Sequence, residues 1–461
     1  MKVEQIYTGC LYQGSYYIES NKEVIIIDPL REVNTYIEKA KANGAKIKYV
    51  FETHFHADFV SGHLTLAKET GASIIFGPNA NPDYEAIIAK DNQIFNIGDC
   101  SIKALHTPGH TMESTTYLLK DEQGKDSAIF TGDTLFIGDV GRPDLAQKSE
   151  DITQEQLAGI LYESLRNKIL PLSDEIIIYP AHGAGSACGK NMMKETFDTL
   201  GNQRKANYAL RRDMTKEEFI KEVTDGLLPA PEYFPLNVKM NKEGYEDVSD
   251  VIKKGYNPIS VSKFEEVANQ TGALVLDVRH QQDYAKGHLP RSIFIGLGGD
   301  FAPWVGTLIA DVKQPILLVV DQGKEKEAIT RLSRVGFDKT IGFLEGGFSS
   351  WKESGRQYDS VNSISAHQFE NDIKNNSTSI FDVRRESEYN LEHIKSAFNT
   401  PLGNINDYLS KMPDNKDFYI HCAGGYRSMI AASILKSRGL HNLIEVKGGF
   451  KAVKETKIAV V

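Results

Sequence analysis

Short apolar runs bounded by turn residues recur in the first 200 residues and predict buried strands. The runs SYYIES and EVIIID flank Asn21-Lys22, so we expect an antiparallel hairpin there. Later runs lead directly into turns that combine Gly or Pro with His or Asp. These four runs are KYVFE, SIKALH, SAIFTG and EIIIYP. The first part of the chain therefore predicts strands whose ends carry polar, chemically useful side chains.

The pattern changes after this strand-rich part. Residues 203–255 are mostly polar and predict helices, with a break at Leu228-Pro229-Ala230-Pro231. We therefore place the first domain boundary near residue 256.

The second half of the chain contains an internal repeat. The segment VLDVRHQQDYAKGHLPRS, which contains Asp277, is matched by IFDVRRESEYNLEHIKSA, which contains Asp382. The copies close with EGGF and KGGF, and each alternates β-branched runs with amphipathic stretches. A parallel sheet covered by helices has this pattern. We predict an α/β multi-domain protein with domains at 1–256, 257–357 and 358–461.

Composition narrows the range of partners. The chain has 461 residues, with 53 Lys and Arg against 62 Asp and Glu and a formal net charge of −9, which argues against a nucleic-acid partner. No apolar run has the length of a membrane helix, and Met1-Lys2-Val3-Glu4 does not open a signal peptide, so we expect no membrane partner. Four widely spaced cysteines without a CxxC pair suit a reducing compartment and predict a cytoplasmic protein.

The predicted strand ends of the first domain carry side chains that bind metal ions. Six of the twelve histidines lie before residue 183. Because strand ends bring together residues that are distant in sequence, we expect these side chains to converge. Imidazole and carboxylate together suit Zn²⁺ or Fe²⁺, whereas the alternative is that they only cap turns. The candidates are His54, His56, Asp58, His110, Asp133 and His182.

This order of motifs resembles the metallo-β-lactamase superfamily, in which HxHxDH is followed by a distant His, an Asp and a last His. The resemblance covers about residues 1–200 and implies an αββα sandwich. The segment Gly141-Arg142-Pro143-Asp144 and the stretch that ends at Asn207 resemble the persulfide dioxygenase branch. That branch implies one Fe²⁺ per chain, in preference to Zn²⁺, held by His54, His110 and Asp133.

The same resemblance gives candidates for substrate binding. It implies that Arg142 holds a carboxylate or phosphate of the thiol carrier, because a guanidinium donates paired hydrogen bonds. The alternative is a solvent-exposed surface arginine. Asn207 is a second candidate. Cys188 is expected to line the same pocket, although the packing of a small buried side chain would also account for it.

One position departs from the family motif. The last His of HxHxDH is Phe59 here, so a second metal would lose a ligand. A hydrolytic site with two metals is therefore disfavoured, while two His and one carboxylate leave positions for a substrate sulfur and O₂. His56 either ligates the metal or supports a ligand, and we favour the second. Asp58 and His182 are expected to orient ligands or water by hydrogen bonds.

A cysteine in the third domain lies in a glycine-rich loop. The run FYIHCAGGYRS predicts a strand, a loop with Gly424 and Gly425, and a helix that begins near Ser428. Backbone N–H groups and the helix N-terminus would favour the thiolate of Cys422. Cysteine phosphatases have the spacing HCx₅R, whereas only four residues separate Cys422 from Arg427, which suits a sulfur atom better than a phosphate.

This loop resembles the active loop of the rhodanese sulfurtransferases, and the DVR and KGGF segments are similar to landmarks of that family. The resemblance implies a persulfide on Cys422, with Arg427 attracting an anionic donor or acceptor. In the other repeat Asp321 takes the position of Cys422 and Lys326 that of Arg427, so this rhodanese-like domain should be inactive. Its expected roles are spacing, dimerisation or docking, and we expect a homo-oligomer.

Nearly the whole chain resembles bacterial persulfide dioxygenase–sulfurtransferase fusions. The resemblance implies that a low-molecular-weight thiol persulfide and O₂ give sulfite, and that Cys422 passes sulfur to sulfite to form thiosulfate. The carrier thiol would be of the glutathione, coenzyme A or bacillithiol type. Two alternatives stay open. One is a glyoxalase II-like thioester hydrolase fused to a sulfurtransferase, and the other is a non-enzymatic sulfur carrier or sensor that uses only Cys422.

Overall fold

Four β-sheets organise the part of the chain that the structure describes. The computed structural model describes residues 1–145, 151–227, 229–375 and 378–461. The chain divides into two compact units, one of Met1–Val248 with Ser333–Gly336 and the other of Ser249–Leu332 with Phe337–Val461. The predicted limits of the three domains stay predictions. Leu228, at the start of the predicted Pro-rich break, lies outside the described residues.

Two six-stranded sheets form the first unit. Their strands are β1 (Lys2–Thr8), β2 (Gln13–Ser20), β3 (Glu23–Ile27), β4 (Lys46–Phe51), β5 (Ser73–Phe76), β6 (Ile87–Ile88), β7 (Ile94–Ile97), β8 (Cys100–His106), β9 (Thr115–Lys120), β10 (Asp126–Gly132), β11 (Ile177–Pro180) and β12 (Asp198–Thr199). The sheet orders are β1-β2-β3-β4-β5-β6 and β12-β11-β10-β9-β8-β7. The strands β2 and β3 pair antiparallel on either side of Asn21 and Lys22, both with positive φ, which confirms the predicted hairpin.

Apolar side chains from both sheets share one core. Phe51 from β4 and Phe130 from β10 belong to it, so the two sheets pack face to face. Helices cover the outer faces, where Tyr36 packs with residues of β3 and Leu161 packs with residues of β10. The layers are therefore helix, sheet, sheet and helix, and the αββα sandwich implied by the resemblance is confirmed.

Helices connect and cover these sheets. The segment 203–255, which predicted helices, contains them as expected. Within the described residues up to 255, the α-helices are Asn34–Ala42, His63–Thr70, Gln154–Ser164, Leu200–Ala206, Lys216–Thr224, Phe234–Glu243 and Val248–Gly255. A π-helical turn, Leu165–Ile169, and a 3₁₀ turn, Tyr208–Leu210, complete this part.

The second unit contains two five-stranded sheets of identical topology. Their strands are β13 (Pro258–Ile259), β14 (Leu274–Asp277), β15 (Ile293–Phe294), β16 (Ile316–Val319), β17 (Thr340–Leu344), β18 (Asn362–Ser365), β19 (Ile380–Asp382), β20 (Ala397–Asn399), β21 (Phe418–His421) and β22 (Leu443–Lys447). The orders are β13-β17-β16-β14-β15 and β18-β22-β21-β19-β20. Every pairing is parallel, which confirms the predicted parallel sheets.

The central strands of these sheets are buried on both faces. All four residues of β16 and of β21 are buried, as expected for parallel strands between layers of helices. The covering helices of the described residues are Val261–Thr271, Gln281–Lys286, Phe301–Leu308, Glu325–Ser333, Gly347–Glu353, Ala366–Asn375, Glu386–Leu391, Tyr426–Ser437 and Gly449–Val453, with a 3₁₀ segment at Leu402–Lys411. Among the residues that the structure describes, no helix is long and apolar enough to span a bilayer.

Candidate functional sites

The strand ends of the first unit bring the predicted metal ligands together. His54 follows β4, His110 follows β8 and Asp133 directly follows β10. One ligand atom from each of these three buried side chains lies within 4.8 Å of the others. The Nε2 atom of His110 is 3.4 Å from Asp133 Oδ2, and Nε2 of His54 is 3.9 Å from the same oxygen. The structure thus assembles the two His and one Asp named from the sequence.

The 3.4 Å distance between His110 and Asp133 suits two ligands of one metal ion, whereas the 3.9 Å distance between His54 and Asp133 is longer than such a pair requires. Two ligand bonds of about 2.1 Å, meeting at tetrahedral or octahedral angles, separate the ligand atoms by about 3.0–3.4 Å. Both carboxylate oxygens of Asp133 are buried without a hydrogen-bond partner, and a cation would compensate them. Burial, together with the nearby charge of His56 and His110, lowers the pKa of His54 well below its ordinary value. The neutral imidazole that results is the form that binds a metal.

The Nδ1 atoms of His54 and His110 each have a hydrogen-bond partner. Nδ1 of His54 lies 3.0 Å from the Thr53 hydroxyl, which donates to Asp28 Oδ2 at 2.8 Å. Nδ1 of His110 donates to the carbonyl oxygen of Arg142 at 2.9 Å. Each bond assigns the hydrogen to Nδ1 and leaves Nε2 free for the metal. The sequence reasoning missed Thr53 and Asp28, although Asp28 also stands at a strand end, in EVIIID.

A second polar group lies beside this one and contains His56, Asp58 and His182. Nε2 of His182 is 3.4 Å from Asp58 Oδ2 and 3.7 Å from Asp133 Oδ1. Burial opposes the charged form of His182, but the attraction of Asp58 and Asp133 prevails and raises its pKa to about 9. Phe59 is fully buried, and its ring lies 4.4 Å from the His56 ring. An apolar ring therefore occupies the position of the last His of the HxHxDH motif.

His56 is also close to carboxylates on its other side. Its Nε2 lies 3.1 Å from Asp28 Oδ1 and 3.7 Å from Glu52 Oε2. Burial and the nearby Asp28 raise the pKa of Glu52 well above its ordinary value. The group formed by His54, His110 and Asp133 does not include His56, which belongs to two other groups of possible ligands, one with Asp58 and His182 and one with Asp28 and Glu52. Its role stays a prediction.

Asn241 anchors the loop that carries His56 and Phe59. The Asn241 side chain donates to the carbonyl oxygens of His56 and Phe59, both at 2.8 Å. It also accepts from the N–H of Ser61 at 2.9 Å. All the groups are buried, so these bonds satisfy backbone atoms that water cannot reach. The sequence missed Asn241, because only the tertiary fold brings this helix residue beside the loop.

Arg142 is buried rather than exposed on the surface. Its side chain is 4% exposed and donates to both oxygens of Asp144, at 2.6 and 2.7 Å. The alternative of a solvent-exposed arginine is therefore wrong. The preceding residue, Gly141, packs closely against the Asp133 backbone. A Cβ atom on Gly141 would lie 2.0 Å from the carbonyl oxygen of Asp133, so glycine is required there. An anionic substrate group would have to share the Arg142 guanidinium with Asp144.

The two other substrate-binding candidates are both buried. Cys188 lies with Asp133 and His182 in one group of possible ligands, and burial and the nearby Asp58 and Asp133 raise its pKa. Asn207 donates to the carbonyl oxygens of Phe136 and Asp139 at 3.2 and 3.0 Å and accepts from the N–H of Ala209 at 3.0 Å. These contacts give Asn207 a structural role and no support for substrate binding.

The cysteine loop of the second unit joins β21 to a helix. That helix, Tyr426–Ser437, begins two residues before the predicted Ser428, because Gly425 with φ of 98° turns the chain. The Gly425 N–H lies 3.1 Å from Cys422 Sγ and donates to it. Cys422 is buried, whereas Gly424 is exposed with open space beside it. The loop thus places one backbone donor on the sulfur, as its glycines predicted.

The closing KGGF segment supports this loop from below. The N–H of Phe450 donates to the Cys422 carbonyl oxygen at 2.6 Å, and the N–H of Lys451 donates to that of Ala423 at 3.0 Å. A Cβ on Gly449 would lie 2.3 Å from the Cys422 carbonyl oxygen. Glycine is therefore required at this position for the close approach of the two backbones.

Arg427 is paired with a carboxylate. Its two terminal nitrogens donate to the oxygens of Glu388 at 2.6 and 2.8 Å. An anionic donor or acceptor would have to compete with Glu388 for the guanidinium. In the other repeat Asp321 and Lys326 are both exposed, and that loop has no thiol. The same repeat nevertheless contacts the start of the helix that follows the cysteine loop, where the Tyr426 hydroxyl donates to the Gly296 carbonyl oxygen at 2.7 Å.

Comparisons with known proteins agree with this arrangement. The family model described as Metallo-beta-lactamase superfamily matches residues 8–182, and the Rhodanese-like domain model matches 260–354 and 365–456. A solved structure described as a metallo-beta-lactamase from Staphylococcus aureus subsp. aureus COL is 30% identical with a TM-score of 0.65, and the match covers 75% of this chain and 99% of that one.

Curated relatives match half of the chain or less. "Persulfide dioxygenase ETHE1, mitochondrial" from Mus musculus is 29% identical over 235 residues, which cover 50% of this chain and 84% of that protein. "Hydroxyacylglutathione hydrolase" from Dictyostelium discoideum is 34% identical over 170 residues, which cover 36% of this chain and 59% of that protein.

Proposed function

Because the chain belongs to the metallo-β-lactamase superfamily and carries two rhodanese-like domains, we propose that it is a persulfide dioxygenase coupled to a sulfurtransferase. The predicted combination of domains is confirmed, and half of the chain is similar to a persulfide dioxygenase. The observation that carries the proposal is the buried group of His54, His110 and Asp133, with the apolar Phe59 against the neighbouring His56.

The proposed metal is one Fe²⁺ per chain. A ferrous ion held by two His and one carboxylate supplies open positions for a substrate sulfur and O₂. The chain's own contribution is to fix the ligands. Thr53 holds His54 and the Arg142 carbonyl oxygen holds His110, and the buried surroundings limit access of water.

The proposed first reaction oxidises the outer sulfur of a thiol persulfide. One persulfide, one O₂ and one water give one thiol, one sulfite and two protons, so oxygen is reduced and the outer sulfur is oxidised. The carrier thiol is of the glutathione, coenzyme A or bacillithiol type, each with an anionic group for Arg142. If Arg142 binds that group, Asp144 gives up part of its paired hydrogen bonding.

The proposed second reaction occurs at Cys422. Sulfite attacks the outer sulfur of a Cys422 persulfide, a new sulfur–sulfur bond forms thiosulfate, and the old bond breaks to leave the Cys422 thiolate. The Gly425 N–H and the start of the following helix stabilise that thiolate. The proposal places both reactions in the cytoplasm, in a homo-oligomer, with the 257–357 domain as an inactive spacer or docking element.

Thioester hydrolysis is the second candidate. The group of His56, Asp58 and His182 and the hydroxyacylglutathione hydrolase relative favour it. Such hydrolysis relies on a metal-bound hydroxide, usually between two metals, and Phe59 removes one ligand of the second metal.

A substrate panel separates the two candidates. Full-length protein loaded with Fe²⁺ is given glutathione persulfide, coenzyme A persulfide and S-lactoylglutathione, and both O₂ uptake and thioester cleavage are recorded. We expect about one iron per chain, O₂ uptake with a persulfide and no thioester cleavage. Two metals per chain with thioester cleavage alone would favour the hydrolase.

A further inference from the structure

A buried carboxylate lies behind the cysteine loop. Glu445, in the middle of β22, is fully buried. The Ser428 hydroxyl donates to its Oε1 at 2.8 Å, and the Ser363 hydroxyl donates to its Oε2 at 2.6 Å. Burial raises the pKa of Glu445, although both hydroxyls and the charge of Lys447 oppose that effect. A carboxyl group in such a place is a potential proton acceptor.

One hydroxyl joins this carboxylate to the thiol. The Cys422 Sγ lies 3.5 Å from Ser428 Oγ and is placed to donate to it. Because the Ser428 hydrogen points to Glu445, its oxygen offers a lone pair to the thiol hydrogen. All three side chains are buried, so water does not interrupt the chain. The path therefore runs continuously from the sulfur to the carboxylate.

The inactive repeat has none of the three side chains that form this hydrogen-bonded path. Counting from the cysteine, Asp321 replaces Cys422 and Glu327 replaces Ser428. Counting back from the GGF segment, Phe343 of β17 replaces Glu445. β17 and β22 hold the same place in their sheets. The carboxylate and the hydroxyl therefore accompany the thiol and are not a general requirement of this fold.

We propose that Glu445 is a positioning residue that exchanges a proton with Cys422 through the Ser428 hydroxyl. The inference rests on the proposed sulfur transfer at Cys422. In one direction the thiol proton passes to Ser428 Oγ while the Ser428 proton passes to Glu445 Oε1. The products are a thiolate and a carboxylic acid, and no proton leaves the site. The thiolate is then ready to take sulfur from a persulfide donor, and the neutral Glu445 does not repel that anion.

Other charged groups surround this path without interrupting it. Arg427, paired with Glu388, attracts the Cys422 thiolate from the loop. Burial lowers the pKa of His421, so that this neighbour of the thiol stays neutral. Among the charged groups, Lys447 acts on Glu445, Glu388 and Asp382 act on Arg427, and Asp382 and Arg384 act on His421.

The pH dependence of Cys422 alkylation tests the proposal. The full-length protein reacts with iodoacetamide between pH 4 and 10, and peptide mass spectrometry follows Cys422 alone. In the native protein we expect two rises separated by a plateau, because proton exchange with Glu445 would form thiolate before the pair loses its second proton. In Glu445→Gln we expect one rise only, with alkylation slower by about tenfold on the acidic side. Ser428→Ala should give the same single rise.

Two further variants separate proton exchange from simple packing. Glu445→Asp keeps a carboxylate and should keep two rises. Ser363→Ala removes a hydrogen bond to Glu445 that lies outside the path, and it should also keep two rises. Two rises in Glu445→Gln, or a rate lowered equally at every pH, would overturn the proposal. If Glu445→Gln does not fold, Ser428→Ala and Glu445→Asp decide by the same criteria.

The assay is independent of the proposed function because alkylation needs no sulfur donor. Thiosulfate formation by the native protein and by Cys422→Ser tests sulfur transfer separately. A single rise in Glu445→Gln without any thiosulfate formation would support proton exchange and reject the sulfurtransferase. Thiosulfate formation by the native protein, together with two rises in Glu445→Gln, would support the sulfurtransferase and reject proton exchange.

Discussion

Replacing Thr53 by Val should weaken iron binding without disturbing the fold. Valine keeps the size of threonine but removes the hydroxyl that lies 3.0 Å from His54 Nδ1 and 2.8 Å from Asp28 Oδ2. The backbone N–H of residue 53 still donates to Asp28 Oδ1 at 2.8 Å, so this carboxylate stays anchored. The change therefore removes the hydroxyl contact of the His54 imidazole and one hydrogen bond of Asp28, which keeps its backbone donor.

The expected size follows from the role of such supporting groups. Removing the partner of a metal-binding histidine weakens metal binding by about 10- to 100-fold, or about 1.4–2.7 kcal/mol. We expect this weakening in Thr53→Val, since His54 would lose its only hydrogen-bonded support among the described contacts. The ring would then be free to rotate away from Nε2 coordination.

Competition with a chromophoric chelator under anaerobic conditions measures the Fe²⁺ affinity. Thr116→Val is the matched control, because Thr116 is also buried and its hydroxyl contacts Thr107 rather than a ligand. We expect the control to bind iron as tightly as the native protein. A folded Thr53→Val with native iron affinity would refute the assignment of His54 as a supported ligand.

Three further predictions follow from the two sites. Phe59→His should restore a ligand beside Asp58 and raise the bound metal from one toward two per chain, and metal analysis that still finds one would count against this geometry. Asn241→Ala should lower the free energy of unfolding by about 2–4 kcal/mol, measured by urea denaturation, because three buried backbone groups lose their partner. Glu388→Gln should lower the KM for sulfite by up to about fivefold by releasing Arg427, since such an ion pair is worth up to about 1 kcal/mol. An unchanged KM would exclude competition between Glu388 and sulfite for Arg427.

The same ion pair makes the stability of the protein depend on pH. Burial raises the pKa of Glu388, but Arg427 outweighs this effect and lowers it. The pair therefore stabilises the native protein above the ordinary pKa of 4.5, and this contribution is lost on acidification.

Much of the fold could be predicted because its signals are local. The hairpin at Asn21-Lys22 and the strands that end before His54, His110 and Asp133 follow from short apolar runs and turn residues. The repeat around Asp277 and Asp382 predicted two parallel sheets, because two copies of one pattern must fold alike.

The supporting contacts of the sites could not be predicted in the same way. Asn241 reaches the loop that carries His56 and Phe59 from a helix about 180 residues further on, and no local pattern marks that contact. Glu445 stands in an ordinary strand pattern, which does not show that its side chain meets two serines. The pairing of Arg142 with Asp144 could have been predicted from the sequence, since the two residues belong to the segment that carried the resemblance.

The ratio of O₂ consumed to sulfite formed tests the central claim most directly. Iron-loaded Cys422→Ser protein is the best material, because it cannot convert sulfite to thiosulfate by the proposed route. With glutathione or coenzyme A persulfide, the account predicts one sulfite for each O₂, and no uptake in an additional Asp133→Ala variant. Full iron loading with no O₂ uptake on either persulfide or on bacillithiol persulfide would contradict the account.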